Sequence, residues 1–302
     1  MDWSQHEIID YINVEENEIK DLPYGVKIST MCGKVKLNTT LLLSNIYDYF
    51  ELSSNDILTL KINDDKIKTL IPSNKKKRKE KKKITKFYNQ ITIVLRINEN
   101  EYTDLINEKK LNFKIFNNGS IQISGIKSVT EVNRAINKLV HFLSTELTVE
   151  ENGEEKTIQF IEEPVTVSDF NIYMINTNFG IKYHIDRNKL YDLLSMKNYK
   201  VVFERCIRAC VNLKYRPEKN NEEGFEPSID IFQKGNIRIA GARNMSHIIE
   251  SYNFIVNELY QNIEEIYKKT EEEENEELFS LYEEVLKEYS HKLKKNKINY
   301  SN

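Results

Sequence analysis

Two short stretches of this chain carry nearly the same text. "FNNGSIQISGIKS" at 116–128 lies without a gap on "FQKGNIRIAGARN" at 232–244. Phe116 falls on Phe232, Gly119 on Gly235, Ile121 on Ile237, Ile123 on Ile239, Gly125 on Gly241 and Lys127 on Arg243. The chain holds only 9 glycines in 302 residues, so two pairs of them in register mark an internal repeat, and a repeat constrains the fold more than composition does.

Both copies predict one supersecondary unit. In "LNFKIF" and "SIQIS" the apolar residues alternate at period 2, so Phe113, Ile115, Ile121 and Ile123 share one sheet face while Lys114 and Gln122 take the other. The Asn117-Asn118-Gly119 step between them reads as a hairpin turn. Gly125 ends the hairpin, and Ser128 with Glu131 forms a capping box opening a helix with Val132, Ile136, Leu139, Val140 and Leu143 at helical spacing. The second copy gives a hairpin from "SIDIF" and "NIRIA". Asn244 then caps a helix carrying Ile248, Tyr252, Ile255 and Leu259.

Upstream, "VKISTMCGKVKLN" (26–38) lies on "MINTNFGIKYHID" (174–186), with Asn38 and Asp186 as helix caps. That spacing is 148, against 116 for the hairpins, so the first half carries about 32 extra residues between its first helix and its hairpin. The basic run "KKKRKEKKK" sits there, ahead of the β-prone "ITIVLRI" (91–97), and reads as an exposed loop. A shorter insert, 218–227, occupies a related place in the second half. The organisation that follows is an N-terminal extension (1–22), a first repeat (23–147) with a basic insert at about 63–86, a linker (148–163), a second repeat (164–262) and a charged helical tail (263–302). In that tail Leu278, Leu281, Val285 and Leu286 form one stripe on a projecting helix.

Charge is blocked out rather than mixed. Net charge is −3, but 30% of residues are charged and some stand in one-sign runs, the basic run, "EEEENEE" (271–277) and "HKLKKNK" (291–297), so the net value is no argument against nucleic acid. Three cysteines, sparse and odd in number, point to a reducing compartment. No signal peptide and no long apolar run are visible, and the expectation is a soluble intracellular protein. The five histidines stand at no metal-ligand spacing, Cys206 and Cys210 lack a second ligand pair, and no phosphate-binding glycine loop or nucleophile with a base is present. A non-enzymatic protein without cofactor or metal is expected.

A tandem strand, helix, strands, helix unit, with F-x-x-G-x-I-x-I-x-G-x-K/R closing each half, resembles the core of the TATA-binding protein family over residues 23–262. "FQKGNIRIAGAR" and "SDFNIYMIN" (168–176) are the segments most similar to that family's text, and such divergence resembles the TATA-binding-like proteins of large DNA viruses. The resemblance implies an α+β fold: a saddle-shaped, curved antiparallel sheet shared by two pseudo-symmetric halves, with helices on the convex side. It also answers why the text is duplicated, since one unit alone leaves a sheet edge and an apolar face uncovered.

In that family concave-face residues lie in the DNA minor groove and phenylalanines wedge between base steps. The resemblance places Phe116 and Phe232 as wedges; a strand-end phenylalanine that simply packs under a helix is the competing reading. An outer wedge position falls on Arg208, and in the first half only "FYNQ" (87–90) stands nearby. The DNA floor falls on Val26, Ile28, Lys114, Gln122 and Ser124 in the first half, and on Met174, Asn176, Asp230, Arg238 and Ala240 in the second. Asp230 repels phosphate unless Arg238 pairs with it, and the asparagine pair central to the family's site is absent. The basic residues Lys75, Lys76, Lys77, Arg78, Lys79, Lys81, Lys82 and Lys83 read either as a phosphate-binding arm or as a solvated loop or import signal.

The implied function is promoter-DNA binding in transcription initiation. Expected partners are double-stranded promoter DNA, with A/T-rich sequence a candidate, a B-type general transcription factor meeting Phe203, Glu204 and Ile207, and the RNA polymerase machinery, with no membrane. The expected location is the nucleus or a viral replication compartment or virion. A protein-interaction scaffold that has lost DNA binding is the alternative, and the targeting domain of a nucleic-acid enzyme is a third possibility.

Overall fold

The computed structural model describes residues 7–62, 66–72, 89–97, 109–151, 153–217 and 226–298. After a one-turn α1 (Val14–Asn17), the first half runs β1 (Lys27–Leu37), α2 (Leu43–Tyr49), β2 (Ile57–Ile62), β3 (Lys66–Thr69), β4 (Gln90–Arg96), β5 (Lys110–Phe116), β6 (Ser120–Ile126) and α3 (Val129–Ser144). A hairpin of β7 (Leu147–Glu151) and β8 (Glu154–Ile158) follows. The second half runs β9 (Val167–Gly180), α4 (Arg187–Met196), β10 (Lys200–Val202), β11 (Cys210–Lys214), β12 (Ser228–Phe232), β13 (Asn236–Ala242) and α5 (Met245–Gln261). Two further helices, α6 (Ile263–Ile266) and α7 (Glu271–Ile298), end the described chain.

Eleven of these strands form one antiparallel sheet in the order β10-β11-β12-β13-β9-β1-β6-β5-β4-β2-β3, open at both edges. β1 and β9 meet at its centre. Alternation decides the faces: Leu111, Phe113, Ile115, Ile121 and Ile123 in one half, and Val211, Leu213, Ile229, Ile231, Ile237 and Ile239 in the other, are buried under the helices. The apolar stripes of α3 (Val132, Ile136, Leu139, Leu143) and α5 (Ile248, Ile255, Leu259) close that core from below. Among the described residues the other face is left open. The result is the saddle-like α+β arrangement that the family resemblance implies.

The hairpin turns lie where the glycines place them. Gly119 and Gly235 hold φ of +81° and +78°, and a Cβ on either would meet backbone carbonyl oxygens, those of Leu37 and Thr39 or those of Ile181 and Tyr183. These contacts also correct the alignment of the first strands. Leu37 N–H donates to Gly119 O as Ile181 N–H donates to Gly235 O, and Leu41 and Ile185 donate in the same way to Asn117 and Gln233. Equivalent positions in β1 and β9 are therefore 144 apart, not 148, and the first half exceeds the second by 28 residues, not 32.

The four-residue error explains a second one. Leu42, not Asn38, occupies the N-cap of α2, without a side-chain hydrogen bond; the equivalent cap of α4 is Asp186, whose carboxylate accepts from Asn188 and Lys189. Asn38 instead donates to Thr166 Oγ1 and Ser168 Oγ, 3.1 and 3.2 Å away. Ser128 is the N-cap of α3, but the capping box does not form: Glu18 accepts from Val129 N–H, and Glu131 is drawn 2.6 Å from Lys109. Asn244 caps α5 as expected, accepting from His247 N–H.

Two segments that sequence patterning leaves plain have structure. Residues 148–163, expected as a linker, contribute most of the β7–β8 hairpin. The segment before β1 lies along α3: Asn137 accepts from Ile9 N–H at 2.8 Å and donates to Ile9 O at 2.8 Å, Asn133 accepts from Ile12 N–H, and Ile12 enters the core. Within the expected insert, β3 adds an edge strand. The basic run 75–83 lies outside the described residues.

Candidate functional site

Cross-strand pairing arranges the open face in rows. One row reads Lys61, Thr92, Lys114, Gln122, Lys34, Asn171 across β2, β4, β5, β6, β1 and β9. The other reads Lys27, Asn178, Arg238, Asp230, Asn212, Val202 across β1, β9, β13, β12, β11 and β10. Lys114, Gln122, Ser124, Lys34, Lys27, Asn178 and Arg238 are all exposed there. The rows hold five basic side chains and one acid.

That acid is neutralised and hidden. Asp230 is 4% exposed, its Oδ2 accepting from Arg238 Nε at 2.8 Å and Nη2 at 2.5 Å, its Oδ1 from Asn212 Nδ2 at 2.6 Å. A carboxylate inside a sheet is tolerated because charge-assisted donors fill both oxygens. The neighbouring Cys210 thiol is pushed up from its ordinary range, first by burial and then by the Asp230 charge.

Phe116 and Phe232 lie on the open face at the ends of β5 and β12, opposite Gln90 and Cys210. Both are half-buried, and neither belongs to the core cluster. Arg208 is exposed on the turn leading into β11, its Nε 3.6 Å from Glu204 Oε1. Its first-half counterpart in "FYNQ" falls on residues 87–88, outside the described residues.

Val26 and Ile28 do not join this face. Val26 is in the core, and Ile28 packs against it from the same side as its pair partner, the fully buried Thr177. The reason is local: the β1–β9 register slips between Ile28 and Thr30, so one extra residue, Ser29, flips the parity of the strand. The positions equivalent to Met174 and Asn176 are therefore Thr30 and Cys32, which pair with Asn176 and Met174 across the sheet centre. Met174, Asn176 and Ala240 are half-buried on the open side, and Asn176 Oδ1 accepts from Gly241 N–H at 2.9 Å. Cys32 is largely covered; burial raises its thiol pKa and a hydrogen bond with Tyr173 opposes the rise. Sequence reasoning missed Thr30 and Cys32 because its ungapped match of β1 to β9 was four residues out.

Phe203, Glu204 and Ile207 lie together on the β10–β11 turn. Glu204 O accepts from the N–H groups of Ile207 and Arg208, while Arg187 donates to the carbonyls of Arg208 and Ala209. Phe203 packs on Tyr191 beneath the Arg187 guanidinium, and Ile207 is 81% exposed. Among the described residues no three His, Cys, Asp or Glu side chains gather as a metal ion requires, and no helix is long and apolar enough to cross a membrane.

Fold and site together define a class: a single helix-backed antiparallel sheet with an open face that is cationic and carries two aromatic side chains at equivalent ends. The sequence comparison narrows it. The chain is 32% identical to the TATA-box-binding protein-like protein of Acanthamoeba polyphaga mimivirus, over 77% of this chain and 64% of that protein. No family model matches. Among solved structures, Methanococcus jannaschii TBP aligns at 15% identity with a TM-score of 0.45, over 78% of this chain and 98% of that one. The chain is a divergent TATA-binding-protein-like protein, and it spans 64% of the length of its viral relative.

Proposed function

We propose that this chain is a non-enzymatic transcription initiation factor that holds double-stranded DNA on its open face, its two halves acting as tandem copies of one DNA-binding unit. The observation that carries this reading is the coincidence, on one uncovered face, of Lys27, Lys34, Lys114 and Arg238 with the half-buried Phe116 and Phe232 at equivalent strand ends. Cations neutralise phosphates and fix the register of a duplex, whereas apolar wedges act on base steps in the minor groove. The basic run 75–83 adds sequence-independent phosphate contacts. The turn carrying Phe203, Glu204 and Ile207 receives a general transcription factor of the B type, which in turn brings the polymerase, in a nucleus or a viral replication compartment.

The scaffold reading rests on Asp230 and on the net negative charge. With Asp230 buried and paired to Arg238, that residue no longer sets a negative floor. Fluorescence anisotropy with random, A/T-rich and G/C-rich duplexes over a salt series tests the proposal. The three face lysines give a log-log salt slope of about −3, steeper if the basic run contributes. Absence of binding to all three duplexes at low salt returns the chain to the scaffold class.

A further inference from the structure

We infer that α7 is a self-association element that pairs antiparallel with the α7 helix of a second copy of this chain. This inference is independent of the DNA-binding proposal. The start of the helix is well defined: Thr270 Oγ1 accepts from Glu273 N–H and Glu273 Oε2 accepts from Thr270 N–H, at 3.2 and 2.7 Å, a formed capping box. From there the helix runs 28 residues. Leu278, Leu281, Tyr282 and Val285 recur at i, i+3, i+4 and i+7, and with Phe279 they line one apolar surface. Leu278 is 65% exposed and Val285 63%. An apolar surface of this spacing, uncovered along two turns, is the seam of a helix pair.

The occupant follows from charge. The sequence places Glu271–Glu274, Glu276 and Glu277 at the start of α7 and Lys292, Lys294, Lys295 and Lys297 at its end. Interaction with the helix dipole falls off within the first and last turn, so it explains the outermost charges but not blocks that extend beyond one turn, nor the apolar stripe between them. An antiparallel pair centred between Val285 and Leu286 explains all three features. It sets the acidic block at 271–277 of one helix alongside the basic block at 292–297 of the other, with leucine 278 level with leucine 293. Parallel pairing would stack the acidic blocks on each other.

Light-scattering mass of the full chain over a concentration series tests this. Three variants separate its parts: Leu278→Asp with Val285→Asp; Lys294→Glu with Lys295→Glu and Lys297→Glu; and Glu274→Lys with Glu276→Lys and Glu277→Lys. Unchanged thermal melts will show that each still folds; Glu274, Glu276, Glu277, Leu278 and Val285 are all exposed. The expected result is a wild-type mass rising to twice that of one chain, a single-chain mass for each variant alone, and a return to the doubled mass when the second and third variants are mixed. The inference is overturned by a wild-type chain that stays single at every soluble concentration, by assembly that survives the Leu278→Asp, Val285→Asp change, or by a mixture that does not reassemble.

Discussion

Met31 and Ile175 face each other across the β1–β9 ladder, and neither is exposed to solvent. The pairs on either side mirror one another: Cys32 with Met174 answers Thr30 with Asn176, Gly33 with Ile172 answers Ile28 with Thr177, and Lys34 with Asn171 answers Lys27 with Asn178. A local two-fold therefore passes between Met31 and Ile175, and the bulges at Ser29 and Tyr173 fall at equivalent places. Each half supplies one side chain to a contact that holds both together. Met31→Ala is expected to cost about 2 to 5 kcal/mol, because a cavity at the seam cannot be filled from one side. Ile175→Ala should cost a similar amount, and the double variant less than the sum, since the two share one cavity. Urea unfolding monitored in both halves measures this; full additivity would separate the two residues energetically.

The glycines divide into two kinds. A Cβ on Gly235 would stand 2.6 Å from Ile181 O and from Tyr183 O, whereas one on Gly241 meets nothing within 4 Å, although both residues have positive φ. Gly241→Ala should cost about 1 kcal/mol, the conformational term alone. Gly235→Ala should cost about 3 kcal/mol or more, because backbone must move as well. Equal shifts in the urea midpoint would show that the turn relaxes freely.

Arg238 is half exposed but its partner is not. Arg238→Gln removes the charge and leaves Asp230, 4% exposed, with Asn212 as its remaining close donor. A loss of about 1 to 3 kcal/mol is expected, and Asp230→Asn in the same chain should recover much of it, because the uncompensated charge is gone. A double-mutant cycle checks this; a single variant as stable as the parent would make the pair a surface ornament.

Cys210 reports the same network by its chemistry. Its thiol pKa is raised by burial and then by Asp230, so at a given pH less thiolate is present than in an ordinary cysteine. Alkylation of Cys210 should therefore lag and accelerate only as pH rises beyond the usual thiol range. Asp230→Asn should move that acceleration to lower pH. A rate at Cys210 that follows pH as a free thiol does, with or without Asp230, would contradict the assignment.

The hairpins were legible because two signals with separate causes agree there: strict alternation fixes the buried face, and glycine fixes the turn. The same logic gave α3 and α5 and both strand-end phenylalanines. It failed at β1. "VKISTMCGKVKLN" and "MINTNFGIKYHID" share few residues, so an ungapped match was four residues out. The bulge at Ser29 then moved Val26 and Ile28 from the expected floor into the core side, and Thr30 and Cys32 took the floor. Caps failed where long-range partners intervened: Glu18 took the Val129 N–H that a local box would have left to Ser128. A pairing across more than a hundred residues has no local sequence signature.

The most direct measurement of the central claim is end-to-end energy transfer on a labelled duplex bound by the parent chain and by Phe116→Ala with Phe232→Ala. Both phenylalanines are half-buried on the open face and lie outside the core cluster, so the double variant should fold with little loss of stability. Full core truncations would cost about 3 to 5 kcal/mol each. Unstacking a base step costs a few kcal/mol, which an inserted apolar side chain offsets. The account predicts that the parent brings the duplex ends together and that the folded double variant binds through its cations but leaves the duplex straight. A folded double variant that bends DNA as the parent does, or one that fails to fold, would contradict it.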